Sequence, residues 1–259
     1  MSNQPALPRE YSTQYDELLA SLSRAQPQEI FGRDAEKNWE KVKFSAFWPQ
    51  WGSAYRQEES LLVIGRAANG GDNEWLVSGL SEPSDRNDLL EKARKSELSF
   101  ESWMTPDLQR DKGGYNRNNG FWRAVKSVVE GLSTGVDDWP KRLAWTNLYK
   151  ISPACGGNPG PRLREFQRPY CINLLKMELA AFAPRHVLFV TDDWCQPFMR
   201  PLGFADDALA PRTKNNHILR TERRGTYKWV VTVRPDRLPK SSLFAEQVLK
   251  ALEEDKSGK

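Results

Sequence analysis

The sequence predicts an α/β protein of three layers, with helices on both faces of a mainly parallel four-stranded central sheet. Three observations carry this. Short apolar runs at residues 61–65, 142–148, 187–190 and 227–233 read as buried strands. Segments of helical period lie between them. At 259 residues the chain buries a sizeable core but falls short of two full domains.

The elements follow in order. Residues 11–24 set Tyr15, Leu18, Leu19 and Leu22 at helical spacing, an amphipathic first helix. From 25 to 58, Pro27 and Pro49 break the pattern around Phe44, Phe47, Trp48 and Trp51, which predicts loops packing rings on the body. Residues 1–58 therefore read as a helical extension packed on a main α/β domain, 59–259. The run Leu61-Leu-Val-Ile-Gly65 predicts a strand feeding the tight loop Arg66-Ala-Ala-Asn-Gly-Gly71. Residues 81–118 are polar and predict a mobile loop or insertion.

Phe121, Trp122, Val125, Val128, Val129 and Leu132 predict a core-facing helix. The strand at 142–148 enters a Gly/Pro-rich loop at 156–161, and 162–183 is helical. After the strand at 187–190, a helix opens at 192–200. Residues 218–222 and 227–233 flank Arg-Arg-Gly-Thr as a hairpin whose second arm is the fourth core strand, and a helix at 241–254 closes the chain. In such a sheet ligands gather beyond the carboxyl ends of the strands, which directs attention to the loops after Gly65, Leu148, Val190 and Val233.

Composition narrows the chemistry. Apolar runs of four or five residues are far below the roughly 20 that span a bilayer, and the first ten residues lack a secretory pattern, so a soluble cytoplasmic protein without membrane contact is expected. Cys155, Cys171 and Cys195 form no Cys-x-x-Cys pair, which argues against a disulfide framework and a thiolate metal site; no metal or cofactor is expected. Any histidine chemistry must use His186 or His217. The net charge is +4, but residues 200–240 hold ten Lys/Arg against four acids, the pattern of a polyanion-facing surface.

The stretch Trp145-Thr-Asn-Leu-Tyr-Lys-Ile-Ser-Pro153, its Gly/Asn/Pro loop, the helix, and Leu179-Ala-Ala-Phe-Ala-Pro-Arg-His-Val-Leu-Phe-Val-Thr191 resemble the uracil-DNA glycosylase superfamily over roughly residues 60–250. Asn119-Gly-Phe-Trp-Arg-Ala124 is similar to the Asn-Arg-Phe-Trp element of its mismatch-type members. The resemblance implies a strand-end asparagine, here Asn147, that hydrogen-bonds the edge of a flipped base. It implies a first motif at Gly65, Arg66 and Ala67, where the family's usual carboxylate or amide is replaced. Asn69 or Asp72 is then the group that aligns a water, with Glu74 a further candidate. Trp75 would stack on the base. The last motif, a His-Pro-Ser segment in the family, aligns with Arg234-Pro-Asp-Arg-Leu-Pro239, so Arg234 would offset charge on the leaving base or grip a phosphate. Arg223, Arg224, Arg237 and Lys240 would contact the nucleic-acid backbone, making DNA the expected partner. The implied function is excision of uracil or another damaged base after base flipping. The altered first and last motifs leave open a protein of the same fold that binds a nucleic acid or nucleotide without cleaving it. An unrelated enzyme on this sheet would use Asp192 and Asp193.

Overall fold

The computed structural model describes residues 5–31, 41–57, 60–68, 74–97, 120–132, 139–204, 209–211, 213, 216–225, 227–235 and 241–253. The chain opens with helices α1 (Arg9–Arg24) and α2 (Pro27–Phe31) and strands β1 (Lys43–Ala46), β2 (Gln50–Trp51), β3 (Leu61–Ala67) and β4 (Glu74–Leu76). Helices α3 (Pro83–Glu97) and α4 (Gly120–Leu132) precede β5 (Leu143–Tyr149) and β6 (Ile151–Pro153). Then come α5 (Pro161–Phe182), β7 (His186–Val190) and the short α6 (Gln196–Met199). The hairpin β8 (Ile218–Arg224) and β9 (Tyr227–Thr232) leads to α7 (Ser241–Glu253).

The protein is an α/β fold. Its main sheet runs in the order β2-β5-β3-β7-β9-β8, with β5, β3, β7 and β9 mutually parallel and the two edge strands antiparallel. The sheet is therefore six-stranded and mixed, where four strands were expected. Of the two edges, β8 is the first arm of the expected hairpin, extended through Arg223 and Arg224, while β2 is two residues long, too short to show any period. A second sheet, β4-β1-β6, is antiparallel throughout.

Alternation along the strands divides the core. Leu62, Ile64, Ala144, Leu148, Val187, Phe189, Trp229 and Val231 face a cluster completed by α1 and α5. Leu61, Val63, Leu143, Leu188, Val190 and Val230 face Val125, Val128, Phe244 and Val248 of α4 and α7. Helices thus cover both faces. The α1 stripe of Tyr11, Tyr15, Leu18, Leu19 and Leu22 is fully buried and shares the first cluster, so residues before 59 contribute to the same core as the sheet.

Two expectations require correction. Residues 83–97, read as loop, form α3, which buries Leu89, Leu90 and Ala93. Its pattern is masked by polar residues that are themselves engaged: Arg86 ion-pairs with Asp16 of α1 at 2.6 Å and donates to the carbonyls of Leu80 and Ser81. Residues 98–119, the rest of that stretch, lie outside the described residues. Within 25–58, β1 and β2 replace continuous loop, although Phe44, Phe47 and Trp48 are buried as expected.

Parallel pairing brings the ends of β3, β5, β7 and β9 to one edge of the sheet, at Ala67, Asn147–Tyr149, Thr191 and Val233. The β8–β9 turn at Gly225, with φ of 55°, sits at the opposite edge.

A candidate base-reading pocket at the strand ends

Asn147 pairs with Gly65 across β5 and β3 at the carboxyl-end edge. A Cβ on residue 65 would come within 2.3 Å of Asn147 Oδ1 and 3.5 Å of Trp145 Nε1. Glycine at 65 is what lets the amide and the indole N–H share this space. Asn147 is 1 % exposed, and its Nδ2 makes no hydrogen bond within the protein. Other buried polar atoms among the described residues are also without a hydrogen bond, and what sets Asn147 apart is its place at the carboxyl-end edge of the sheet, where its amide donor stands beside Gly65. The Trp145 ring is braced edge-on by Phe47 at 4.7 Å and by Trp122 at 4.8 Å, with Phe121 a further 4.7 Å from Trp122. The Phe-Trp element of α4 thus packs against the strand that carries Asn147.

A buried ionic network holds that strand end from behind. Lys150 and Glu178, both fully buried, pair at 2.8 Å. Lys150 Nζ also donates to Thr146 Oγ1 and to the carbonyl of Asn147, each at 2.7 Å. Glu178 accepts from Thr146 Oγ1 at 2.7 Å and from the Tyr11 hydroxyl of α1 at 2.5 Å. Burial and the neighbouring Glu178 carboxylate push the Tyr11 phenol well above its usual range, so it stays a donor. Gln167 adds a second brace, accepting from the backbone N–H groups of Lys150 and Ile151 and donating to the Ile151 carbonyl. None of these residues stands out in the sequence. A lysine and a glutamate 28 positions apart give no signal of pairing.

The other strand ends are tied together by Asp192, held at a φ of 51°. Arg66, on the residue after Gly65, ion-pairs with Asp192 Oδ2 and donates from Nε to the Thr191 carbonyl at 3.1 Å. Asp192 Oδ1 accepts from the backbone N–H of Arg234 at 3.0 Å. One carboxylate therefore clamps β3, β7 and the segment after β9. Arg66 is committed to this clamp and lies 5.0 Å from the Trp194 ring. Asp192, weighed as a catalytic carboxylate, is committed likewise, while Asp193 is exposed.

Gly65, Arg66, Ala67, Asn147 and Arg234 are thus gathered at one edge, with Ala67 opposite Tyr149. Trp75 stands on β4 opposite Phe44, its ring 5.4 Å from the Phe44 ring and packed against the core. Glu74 pairs with Lys43. Asn69, Asp72, Asn119, Asp236, Arg237 and Lys240 lie outside the described residues. Arg223 and Arg224 stand on the hairpin at the far edge, Arg224 lying 5.7 Å over Phe204. Arg223 pairs with Lys228, which aligns with His186 and Leu61. Four residues and four strand spacings then put Arg223 about 23 Å from Asn147.

The two histidines lie at opposite ends of the sheet, and only His217, whose carbonyl accepts from the Val233 N–H at 3.0 Å, stands at the carboxyl-end edge, four strands away from Asn147. His186 begins β7 at the opposite end, and burial with nearby Arg185 and Lys228 lowers its pKa to about 4. His217 is buried beside Phe244. Burial pushes the thiols of Cys171 and Cys195 up to about 12 and about 11, which makes them poor nucleophiles. Among the described residues no cluster of His, Cys, Asp and Glu could hold a metal ion, and no helix is long and apolar enough to cross a membrane. No protein-family model matches this chain, and no curated protein matches it.

Proposed function

We propose that the protein recognises a nucleobase, on a fold of the uracil-DNA glycosylase kind, with Asn147 at the floor of the pocket. The observation that carries this reading is the buried, unpartnered Nδ2 of Asn147 beside Gly65. A carboxamide donates and accepts at once, which suits a uracil-like edge with adjacent carbonyl and N–H. Trp145, braced edge-on by Phe47, sets an aromatic ring beside Gly65 and Asn147, a surface on which a flipped base could stack. The partner is DNA or a free nucleotide, met in the cytoplasm.

Excision of uracil or another damaged base is the second reading, and Arg234 favours it by lying at the same edge, where a guanidinium would offset charge on a departing base. Binding without cleavage gains from Arg66. The position where the family keeps a hydrolytic group holds an arginine already neutralised by Asp192.

The test uses single- and double-stranded oligonucleotides carrying uracil, xanthine or hypoxanthine, scored for binding by fluorescence anisotropy and for excision by alkaline cleavage of abasic sites. Recognition predicts tighter binding of one modified base than of its thymine or guanine control, lost in Asn147→Ala. If Asn147→Ala leaves binding and excision intact, the pocket is misplaced. Strand breaks at protein excess establish excision, and their absence beside retained binding dismisses it.

A further inference from the structure

The hairpin arginines lie too far from Asn147 to hold the phosphates of a nucleotide whose base it reads, so any grip on phosphate must lie nearer. The first two turns of α5 carry Arg162, Arg164 and Arg168 against a single acid, the exposed Glu165. Arg162 and Arg164 in the first turn oppose the helix macrodipole, and Arg168 follows Arg164 by one turn on the same face.

The guanidinium of Arg164 lies 4.1 Å over the Trp194 ring. The other cation on that ring, Arg66, is neutralised by Asp192. Arg164 and Arg168 have no carboxylate partner among the described residues, and Arg164 Nε is buried without a hydrogen bond. Stacking fixes the plane of a guanidinium, and with Nε buried it is the terminal Nη pair of Arg164 that remains for a forked contact with an oxyanion. The charges of both arginines are felt at Tyr149: burial raises the pKa of that phenol, and the two guanidinium groups hold the rise back. Tyr149 follows Asn147 by two residues on β5, about 7 Å along the strand.

We propose that Arg164 and Arg168, backed by Trp194, form a phosphate-binding subsite beside the base pocket. The phosphate grip belongs to α5, not to the β8–β9 hairpin. This rests on the reading of Asn147 for the nucleotide, but the anion subsite is measurable without it. Two uncompensated guanidinium groups suit a phosphate better than a single carboxylate, because phosphate offers more oxygens and up to two charges.

The experiment follows the Arg Nε–H signals of the 15N-labelled protein by NMR, assigned through Arg164→Lys and Arg168→Lys, during titration with inorganic phosphate. In parallel, anisotropy measures a uracil-containing single strand, and competition measures deoxyuridine monophosphate. The subsite predicts a saturable shift of the Arg164 signal. It predicts oligonucleotide binding at least tenfold weaker in the Arg164→Gln/Arg168→Gln variant, with a log–log salt dependence shallower by about 1.4 for two lost contacts on a single strand. The Arg223→Glu/Arg224→Glu variant should bind as the parent does. Thermal unfolding of the glutamine variant should stay close to that of the parent, since the dipole repulsion relieved at Arg164 offsets the lost stack on Trp194, which separates lost contact from lost fold.

An unmoved Arg164 signal, or parental oligonucleotide affinity in the glutamine variant, overturns the subsite. Saturable phosphate binding with no nucleotide or oligonucleotide binding keeps the subsite and removes the nucleobase reading. Asn147-dependent binding that ignores Arg164 and Arg168 does the reverse. Competition by the monophosphate assigns the site to a terminal phosphate, and its failure beside tight oligonucleotide binding assigns it to the phosphodiester chain.

Discussion

Replacing Asn147 with alanine should cost almost no stability, although the residue is buried in the central sheet. The substitution deletes three heavy atoms. Losing the dispersion contacts of these three atoms, about 0.1–0.2 kcal/mol each over on the order of ten contacts, costs about 1–2 kcal/mol. It also removes a desolvated donor that makes no hydrogen bond, which in the free protein costs about 1–3 kcal/mol. The two effects offset, leaving a change within about 1 kcal/mol of zero, or under about 4 °C in Tm for a chain of this size. Leu148→Ala is the control. Leu148 is fully buried on the next position of β5, and its truncation should cost about 2–5 kcal/mol. Thermal and urea unfolding of both variants, followed by circular dichroism, makes the comparison. If Asn147→Ala destabilises as much as Leu148→Ala, the amide serves the fold, and the inference from its unused donor to a ligand fails.

Gly65→Ala forces a methyl group to within 2.3 Å of Asn147 Oδ1, so the amide must turn away. Stability should fall by about 1–3 kcal/mol, and ligand affinity should fall as far as in Asn147→Ala; unchanged affinity would mean the amide orientation does not matter. Glu178→Gln leaves the buried ammonium of Lys150 uncompensated and should cost about 3–5 kcal/mol in urea unfolding, much of it recovered by adding Lys150→Met; no recovery would assign the loss to the hydroxyl contacts of Tyr11 and Thr146 instead. His186 is depressed to about 4 from 6.5, so the unfolded chain binds its proton first on acidification. Stability is fully present above pH 6.5 and declines as the pH falls toward 4. His186→Gln should flatten that part of a Tm-against-pH curve, and an unaltered slope would show that His186 is not the cause.

The four parallel strands were legible because each is a mainly apolar run of four to seven residues bounded by turn residues, and their common edge followed from them, whereas Asn147 was singled out by the resemblance carried by residues 145–153. What escaped was carried by single polar residues acting at long range. Arg86 and Asp16 join α3 to α1 across 70 positions, and the charges that hide α3 in the sequence are part of what fastens it. Lys150 lies within the stretch that resembles the family motif, yet nothing in the sequence signals that it is fully buried on Glu178. Arg66 and Arg223 show the complementary difficulty: basic residues close in type differ wholly in use, one tied to Asp192 at the pocket edge and the other on a distant hairpin. Side-chain chemistry alone does not distinguish them, because partner and strand end are set by topology.

The most direct measurement is the side-chain amide signal of Asn147 in 15N-labelled protein, assigned by its loss in Asn147→Ala and followed while a uracil-containing oligonucleotide, and then its thymine counterpart, is added. Base reading by Asn147 predicts a downfield shift of an Asn147 Nδ2 proton and slowed solvent exchange, saturating with the preferred base and weaker with the other. An amide signal indifferent to every base tested, in protein that binds the same oligonucleotides, would contradict it.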